Sequence, residues 1–366
     1  MNLFGRKAAP RAARPELTRF GAGTAGWPTG EQSYEAQVRE GYCRNPIAQR
    51  AVRLVAEAVS GAPLIAAPAP FATLIRTRSG AQALVETATA QLLLSGNAYV
   101  QLLTDADGHL AELFALRPER VGIEPDAQGW PAAYLYRCEG RATRLSPAAP
   151  RPQIAHVKLF NPLDDHKGLG CLGAAAPAIA LHNAASAWNR ALLANGARPS
   201  GALVYEPGDG SPLAPDQFDR LRAELDASFA GAANAGRPLL LEGGLKWQAL
   251  SLSPADMDFV GLKAAAAREI ATAFGVPPML LGLPGDATYA NYREASRALW
   301  RQTILPIADT LFAALVQAAR DWFPDAELRI DLDRVPALAE DRERLWAQVS
   351  AADFLTPEEK RAAVGL

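Results

Sequence analysis

Residues 172–195 constrain this chain more than any other segment. They read Leu-Gly-Ala-Ala-Ala-Pro-Ala-Ile-Ala-Leu-His-Asn-Ala-Ala-Ser-Ala-Trp-Asn-Arg-Ala-Leu-Leu-Ala-Asn, and Arg190 is their only formally charged side chain. Alanine and leucine favour helix, Gly196 is a stop signal, and a helix of about 20 residues spans roughly 30 Å. Ile179, His182, Ala185, Asn189 and Leu192 fall on one stripe, and Asn183, Ser186 and Arg190 on another. So little charge rules out a lone surface helix, so it requires helical neighbours. A second long helix is predicted from about Pro254 to Phe274, closed by Gly275 and Pro277-Pro278, with Asp256 and Asp258 in the first turn where the helix dipole favours them. Between the two lies a small unit. Gly201–Glu206 reads as a strand and Pro215–Ala230 as an amphipathic helix with Phe218, Leu221, Leu225 and Phe229 on one face. Pro238–Leu241 and Leu245–Leu250 read as a hairpin around Glu242-Gly243-Gly244. The simplest layout is an up-and-back helix pair carrying an α/β tip.

The flanks follow a different pattern. Helices are predicted at Asn45–Val59 and Gly80–Leu94, the second ending in Ser95-Gly96-Asn97. Strand-like runs follow at Ala98–Leu103, Leu110–Leu116, Arg120–Glu124, Ala133–Cys138 and Ile154–Phe160, with turns at Asp105–Gly108 and Asp126–Gly129. Helices first and then a meander of strands make an α+β module of about 130 residues. After the second long helix comes an apolar loop, 279–290, then a third helix from Asn291 to about Trp322 with a kink expected at Pro306. Leu328–Leu332 reads as a strand. The tail from Pro336 is helical, with a capping box at Thr356-Pro357-Glu358-Glu359. The fold class is α+β, and 366 residues suffice for two or three modules.

Chemical signals are weak throughout. A net charge of −2 lacks the basic excess of a general nucleic-acid binder. Cys43, Cys138 and Cys171 lie far apart, which fits a reducing compartment and neither a zinc site nor a disulfide framework. The first residues lack the apolar core of a signal peptide, and without a run of about 18 apolar residues no transmembrane helix is expected. Arg6, Lys7, Arg11, Arg14 and Arg19 make residues 1–29 read as a flexible basic arm.

Gly168-Leu-Gly-Cys-Leu-Gly173 matches G-x-G-x-x-G, yet seven residues separate it from the preceding strand, and no acid lies about 20 residues on. His109, His156, His166 and His182 form no metal-ligand pair, and Asp164-Asp165-His166-Lys167 reads best as a polar turn. Tyr289, Tyr292 and Trp300 read as helix-face packing in preference to base stacking. No catalytic residue, cofactor site or metal site is assigned, and the chain is not expected to be an enzyme.

Several blocks, in order, are similar to portal proteins of long-tailed phages. They are Ser95-Gly-Asn-Ala-Tyr99, Leu116-x-Pro-x-x-Val121, Asn195-Gly-Ala-Arg-Pro-Ser-Gly-Ala-Leu203, Asn234-Ala-Gly-Arg-Pro-Leu-Leu-Leu-Glu-Gly-Gly-Leu-Lys-Trp247, Ile270-Ala-x-x-Phe-Gly-Val-Pro-Pro-x-x-Leu-Gly282 and Leu355-Thr-Pro-Glu-Glu-x-Arg361. The resemblance runs from about residue 40 to the end, and the family includes portals of gene transfer agents. It implies a portal fold: an α/β wing (30–170), stem helices (171–196 and 253–276), a clip (197–252), a tunnel loop (277–292), a long kinked helix with the wing's return strand (293–335) and a short helical crown (336–366). It also implies a dodecameric ring at one capsid vertex of a virion or phage-like particle, assembled in the bacterial cytoplasm. The ring would conduct double-stranded DNA non-specifically, with terminase large subunit, head–tail adaptor and major capsid protein as partners and no membrane. A structural ring or adaptor that conducts no DNA is the alternative.

A channel wall must let DNA slide, and every Lys or Arg bound to phosphate strengthens the grip through counterion release. The low charge of 172–195 and the balance of Asp256, Asp258 and Glu269 against Lys263 and Arg268 suit such a wall. The resemblance makes Lys263 and Arg268 on the second stem helix, and Asn291 and Arg293 at the tunnel loop, the candidates to face DNA.

Overall fold

Two short pieces, α1 (Tyr34–Val38) and a π turn (Arg39–Cys43), lead into α2 (Pro46–Ser60). The computed structural model describes residues 33–148, 150–194, 201–206, 214–229, 245–249, 258–284 and 289–365. Asn45 starts α2. Its side-chain oxygen accepts from the N–H groups of Ile47 (3.1 Å) and Ala48 (3.0 Å), while Pro46 sits in the first turn, where a missing N–H costs nothing. After β1 (Leu64–Ala67) and α3 (Ala69–Arg76) comes α4 (Leu84–Ser95), which starts later than its periodicity predicts. Gly80 and Ala81 both take positive φ, and Ser79 bridges to Gln82, so those residues form a turn. Val52, Val55 and Val59 of α2 are buried, as are Leu84, Val85 and Leu92 of α4, and the two helices pack together.

Six strands follow: β2 (Asn97–Thr104), β3 (Leu110–Leu116), β4 (Val121–Pro125), β5 (Pro131–Cys138), β6 (Arg141–Leu145) and β7 (Ile154–Lys158). They form two antiparallel sheets, ordered β3-β2-β7 and β4-β5-β6. The hairpins β2–β3 and β4–β5 share one device. The Asp105 carboxylate accepts from the N–H groups of Asp107 and His109 (3.0 and 2.8 Å), and Asp126 accepts from Gln128 and Trp130 (2.9 and 2.8 Å). Gly108 and Gly129 take the positive φ that each turn needs. Between the sheets, Tyr99, Leu116 and Ile154 pack with Val121, Ile123, Tyr134 and Leu145.

The remaining elements are α5 (Cys171–Ala194), β8 (Gly201–Tyr205), α6 (Pro215–Phe229), β9 (Leu245–Ala249), α7 (Phe259–Ala273), α8 (Tyr289–Leu299), α9 (Leu305–Ala319), β10 (Glu327–Ile330), α10 (Ala339–Ser350) and α11 (Pro357–Val364). Contacts divide the chain into two units. One comprises residues up to Ala175 and from Ala271 onward, the other Ala176–Ile270. In the first unit β10 closes the fold by pairing antiparallel with β1, Leu64 opposite Ile330. The third long helix is interrupted as expected near Pro306, but by a π turn, Trp300–Ile304, between α8 and α9. The wider turn leaves Pro306 in the first turn of α9, where its ring and missing N–H are tolerated. Thr303 Oγ1 within this turn donates to Gly275 O at 2.6 Å. In the tail, Thr356 and Glu359 form the anticipated reciprocal cap of α11.

Some expectations are corrected. Ala290–Ala319 is, by length and composition alone, long and apolar enough to cross a bilayer. Its Ala308, Leu311, Phe312, Leu315 and Ala319 are buried, as in the core helix of a globular unit. Leu245–Ala249 pairs with Gly201–Tyr205, Leu203 opposite Trp247; the expected partner Pro238–Leu241 and its turn lie outside the described residues, as does Asp256. On α6, Phe218 is 56% exposed and Leu221 half-buried, so the described part of that face is open; the side chains of Leu225 and Phe229 lie outside the described residues. Strands β1 and β6 and helix α3 were not anticipated. They are short, and β1 is only the four residues Leu-Ile-Ala-Ala.

Candidate nucleic-acid interface

The glycines of the G-x-G-x-x-G run serve backbone packing. The chain crosses itself where Gly168 and Gly170 lie over Gly96, which closes α4 at φ 75°. A Cβ on Gly168 would strike Gly96 O and lie 2.8 Å from both Leu159 N and Leu159 O; one on Gly170 would lie 2.5 Å from Leu94 O. Gly173, on α5, has nothing within 4 Å of such a Cβ. The crossing is pinned by Asn97, whose Nδ2 donates to Ser95 O (2.8 Å) and Gly168 O (3.2 Å) and whose Oδ1 accepts from Gly168 N (2.8 Å).

That assignment fixes the proton on a histidine. His156 Nε2 lies 3.0 Å from Asn97 Oδ1, which only accepts, so Nε2 carries the proton. Nδ1 is then left to accept from the Tyr134 hydroxyl at 3.2 Å. Tyr99 stacks on the imidazole with ring centroids 4.3 Å apart. Burial, assisted by the nearby Lys158, His166 and Lys167, pushes the His156 pKa down to about 3, and burial pushes the Tyr134 phenol up to about 12. His156 is therefore a neutral structural partner. Its Nε2 donation to Asn97 helps hold the crossing from which α5 departs.

In the second unit, Ile179, His182 and Ala185 of α5 are buried, Asn189 is half-buried and Arg190 exposed, so the anticipated stripe faces inward as far as its side chains are described. Trp188 stacks on Phe259 of α7 at 6.2 Å. Burial holds the His182 pKa below its ordinary value, and the charge of Lys263 adds to this. Lys263 is half-buried on the stripe of α7 that also buries Ala266, Ala267 and Ile270, whereas Arg268 is exposed. Five residues apart on a helix, the two point about 140° away from each other, so they do not line one wall together.

Asn291 and Arg293 are exposed at the start of α8. Arg293 begins a row that sequence reading missed, Arg293, Arg297 and Arg301, each four residues after the last. Arg293 pairs with Glu340 of α10. Arg297 bonds Glu294 (2.9 Å) and Glu340 (2.7 Å) and lies 3.4 Å from Asp341, which also pairs with Arg301 at 2.6 Å. The spacing of four was the available signal, and the acids sit in the first turn of α10, where the helix dipole favours them. The row ties α8 and the π turn to α10. Replacing Arg297, 14% exposed at the centre of the row, with methionine is expected to raise amide hydrogen exchange across Ala339–Ser350 while leaving β2 and β7 unchanged. Unaltered exchange in α10 would show that the row does not hold it.

Comparison with known proteins follows this architecture closely. The sequence matches the phage portal protein family over residues 46–365. It is 41% identical to an uncharacterised protein of Rickettsia felis over 349 residues, covering 89% of this chain and 88% of the relative. A chain in the virion of a native gene transfer agent particle superposes with TM-score 0.70 at 48% identity, over 94% of this chain and 96% of the other. A chain in the neck of the native particle, computed with C12 symmetry, gives TM-score 0.70 at 48% identity, over 92% and 94%. The chain belongs to the phage portal protein family.

Proposed function

We propose that this chain is the portal subunit of a phage-like particle of the gene transfer agent kind, forming a dodecameric ring at one capsid vertex through which double-stranded DNA is packaged and ejected. The observation that carries the reading is the likeness to the neck chain solved with C12 symmetry, at 48% identity over nearly the whole length. On this reading the unit holding residues up to Ala175 and from Ala271 onward supplies wing and crown, and Ala176–Ile270 supplies stem and clip. Terminase, which would supply the energy of translocation, and the head–tail adaptor would dock on the ring, the capsid protein would surround it, and assembly would take place in the bacterial cytoplasm.

The local chemistry supports a sliding contact. Arg190 is the only formal charge on α5, Lys263 is half-buried, and Arg293 is answered by Glu340. Phosphates would therefore meet few cations, and Lys263 and Arg293 would hold them only weakly. Electron microscopy of the purified chain is expected to show rings with a central hole wide enough for duplex DNA. A compact monomer, or a ring with a closed centre, overturns the reading, and the second result favours a structural ring that conducts nothing. In assembled particles, changing Lys263 and Arg293 to glutamine is expected to reduce retention of packaged DNA and to lower its salt dependence by about one unit of slope per lost phosphate contact. Unchanged packaging and retention would remove both residues from the channel.

A further inference from the structure

Helix α10 has no fully buried residue, and its Leu345 and Val349 are only half-buried. The buried anchors Val335 and Leu338 lie just ahead of it, and among the described residues after them only Val364 of α11 is buried. Helix α11 is tied to α10, through Arg342 Nη2 to Val364 O (2.7 Å) and Lys360 Nζ to Ser350 O (3.0 Å). The two helices therefore form an arm, 339–365, with little hydrophobic hold on the rest of the unit. Its outward ties end on charged side chains. Arg342 and Trp346 bond Asp333 (2.5 and 3.1 Å), and Glu340 and Asp341 meet the arginine row of α8 and the π turn. Contacts of this kind are individually weak and are screened by salt.

The arm covers a surface of opposite charge. About 6 Å of helix rise separates Arg293 from Arg297, and Arg301 continues the row into the π turn. Of the acids paired with the row, Glu340 and Asp341 belong to the arm and Glu294 to α8 itself. The closed contact is also incomplete. Arg297 is 14% exposed, and its Nε lies 3.4 Å from Asp341 Oδ2 without a hydrogen bond, so a buried guanidinium donor goes unmet. A guanidinium row binds phosphate by the same charge-assisted fork with which it binds carboxylate. By contrast, Arg50 and Arg53 pair with Glu57 on their own helix, α2, where no movement of another element could unmask them.

We infer that the 339–365 arm is an ionic latch over a phosphate-binding stripe, in which Glu340 and Asp341 hold the arginines that a nucleic-acid backbone takes up when the arm swings away. With the arm closed the stripe is neutralised and phosphates pass it. With the arm open, the same row grips them. The inference rests on the DNA-conducting reading above for the source of the phosphates, yet every group in it lies within one chain.

Amide hydrogen exchange on the unmodified full chain tests the latch. Raising sodium chloride from about 0.05 M to about 0.5 M is expected to speed exchange across 339–364 while leaving β2 and β7 unchanged. Binding of a fluorescent duplex oligonucleotide tests the stripe. Glu340→Gln with Asp341→Asn is expected to tighten it about tenfold at low salt and to steepen its log–log salt dependence by about two to three units, at about 0.9 per phosphate. Glu343→Gln with Asp353→Asn removes the same charge from the arm away from the row and should leave the slope as it is in the parent. Adding Arg293→Gln and Arg301→Gln to the first variant should return binding to the parental level. A first variant that binds duplex no more tightly than this charge-matched control overturns the stripe, and exchange in the arm that ignores salt overturns the latch. Inorganic phosphate at constant ionic strength should displace little duplex; full displacement would assign the stripe to free phosphate and overturn the nucleic-acid assignment. The ring reading fails separately, in electron micrographs, since none of these measurements requires a ring.

Discussion

Gly168→Ala is expected to cost about 3 kcal/mol or more in stability, the upper end of the range for overpacking, because the obstruction is backbone on every side. The new methyl group would strike Gly96 O and lie 2.8 Å from both Leu159 N and Leu159 O. These atoms are held by the bond from Leu159 N–H to Gly96 O and by Asn97, which grips Gly168 through both its N–H and its carbonyl. No side-chain rotamer can give way. Gly173→Ala is the matched control, since it adds a methyl group to an α-helix with nothing within 4 Å and should gain about 0.5–1 kcal/mol. Urea unfolding followed by circular dichroism reads both. A dinucleotide-binding loop would show a different pattern, because its third glycine packs helix against strand and resists alanine. Equal sensitivity at 168 and 173 would sink the packing explanation.

The contrast shows what was legible in the sequence. Ser95-Gly-Asn-Ala-Tyr99 stands out in the sequence as a block of resemblance, and Gly168-Leu-Gly-Cys-Leu-Gly173 as a match to a phosphate-binding pattern. Their partnership, 71 residues apart, carries no periodicity and so left no trace in the pattern. Long periodic segments were readable because one helix face suffices to define them. α2 and α5 lie within a residue or so of expectation at each end, and the break expected at Pro306 falls just ahead of it, at the π turn Trp300–Ile304. Strands β1 and β6 were not readable. Each is fixed by its partner, β10 or β5, more than by its own residues. The arginine row was missed for a related reason: Arg293 was weighed as a lone cation, while its partner Glu340 lies 47 residues on, in a tail read only as helical.

Acidification is expected to destabilise the first unit through His156, beginning near neutrality. The folded pKa of about 3 lies below the ordinary 6.5, so between these values the unfolded chain binds the proton and the native chain does not. The stabilisation is fully present above about pH 6.5 and is lost as pH falls towards 3, with a slope of up to about 1.4 kcal/mol per pH unit from this one group. Protonation is unfavourable because both ring nitrogens are committed. Nε2–H already donates to Asn97, and a proton on Nδ1 would displace the Tyr134 hydroxyl donor in a buried site. Nitrogen NMR at pH 7 should find His156 as the neutral Nε2–H tautomer, and the opposite tautomer would refute the network. Asn97→Asp is expected to weaken this acid response. A carboxylate there still accepts from Nε2–H and Gly168 N but loses the donors to Ser95 O and Gly168 O, which lowers stability at pH 7. Its charge faces the imidazole and should raise the His156 pKa well above 3. The variant should then lose less stability than the parent on acidification, the difference confined to the interval where His156 titrates. Parallel pH profiles for the two proteins would show that His156 does not govern the acid response.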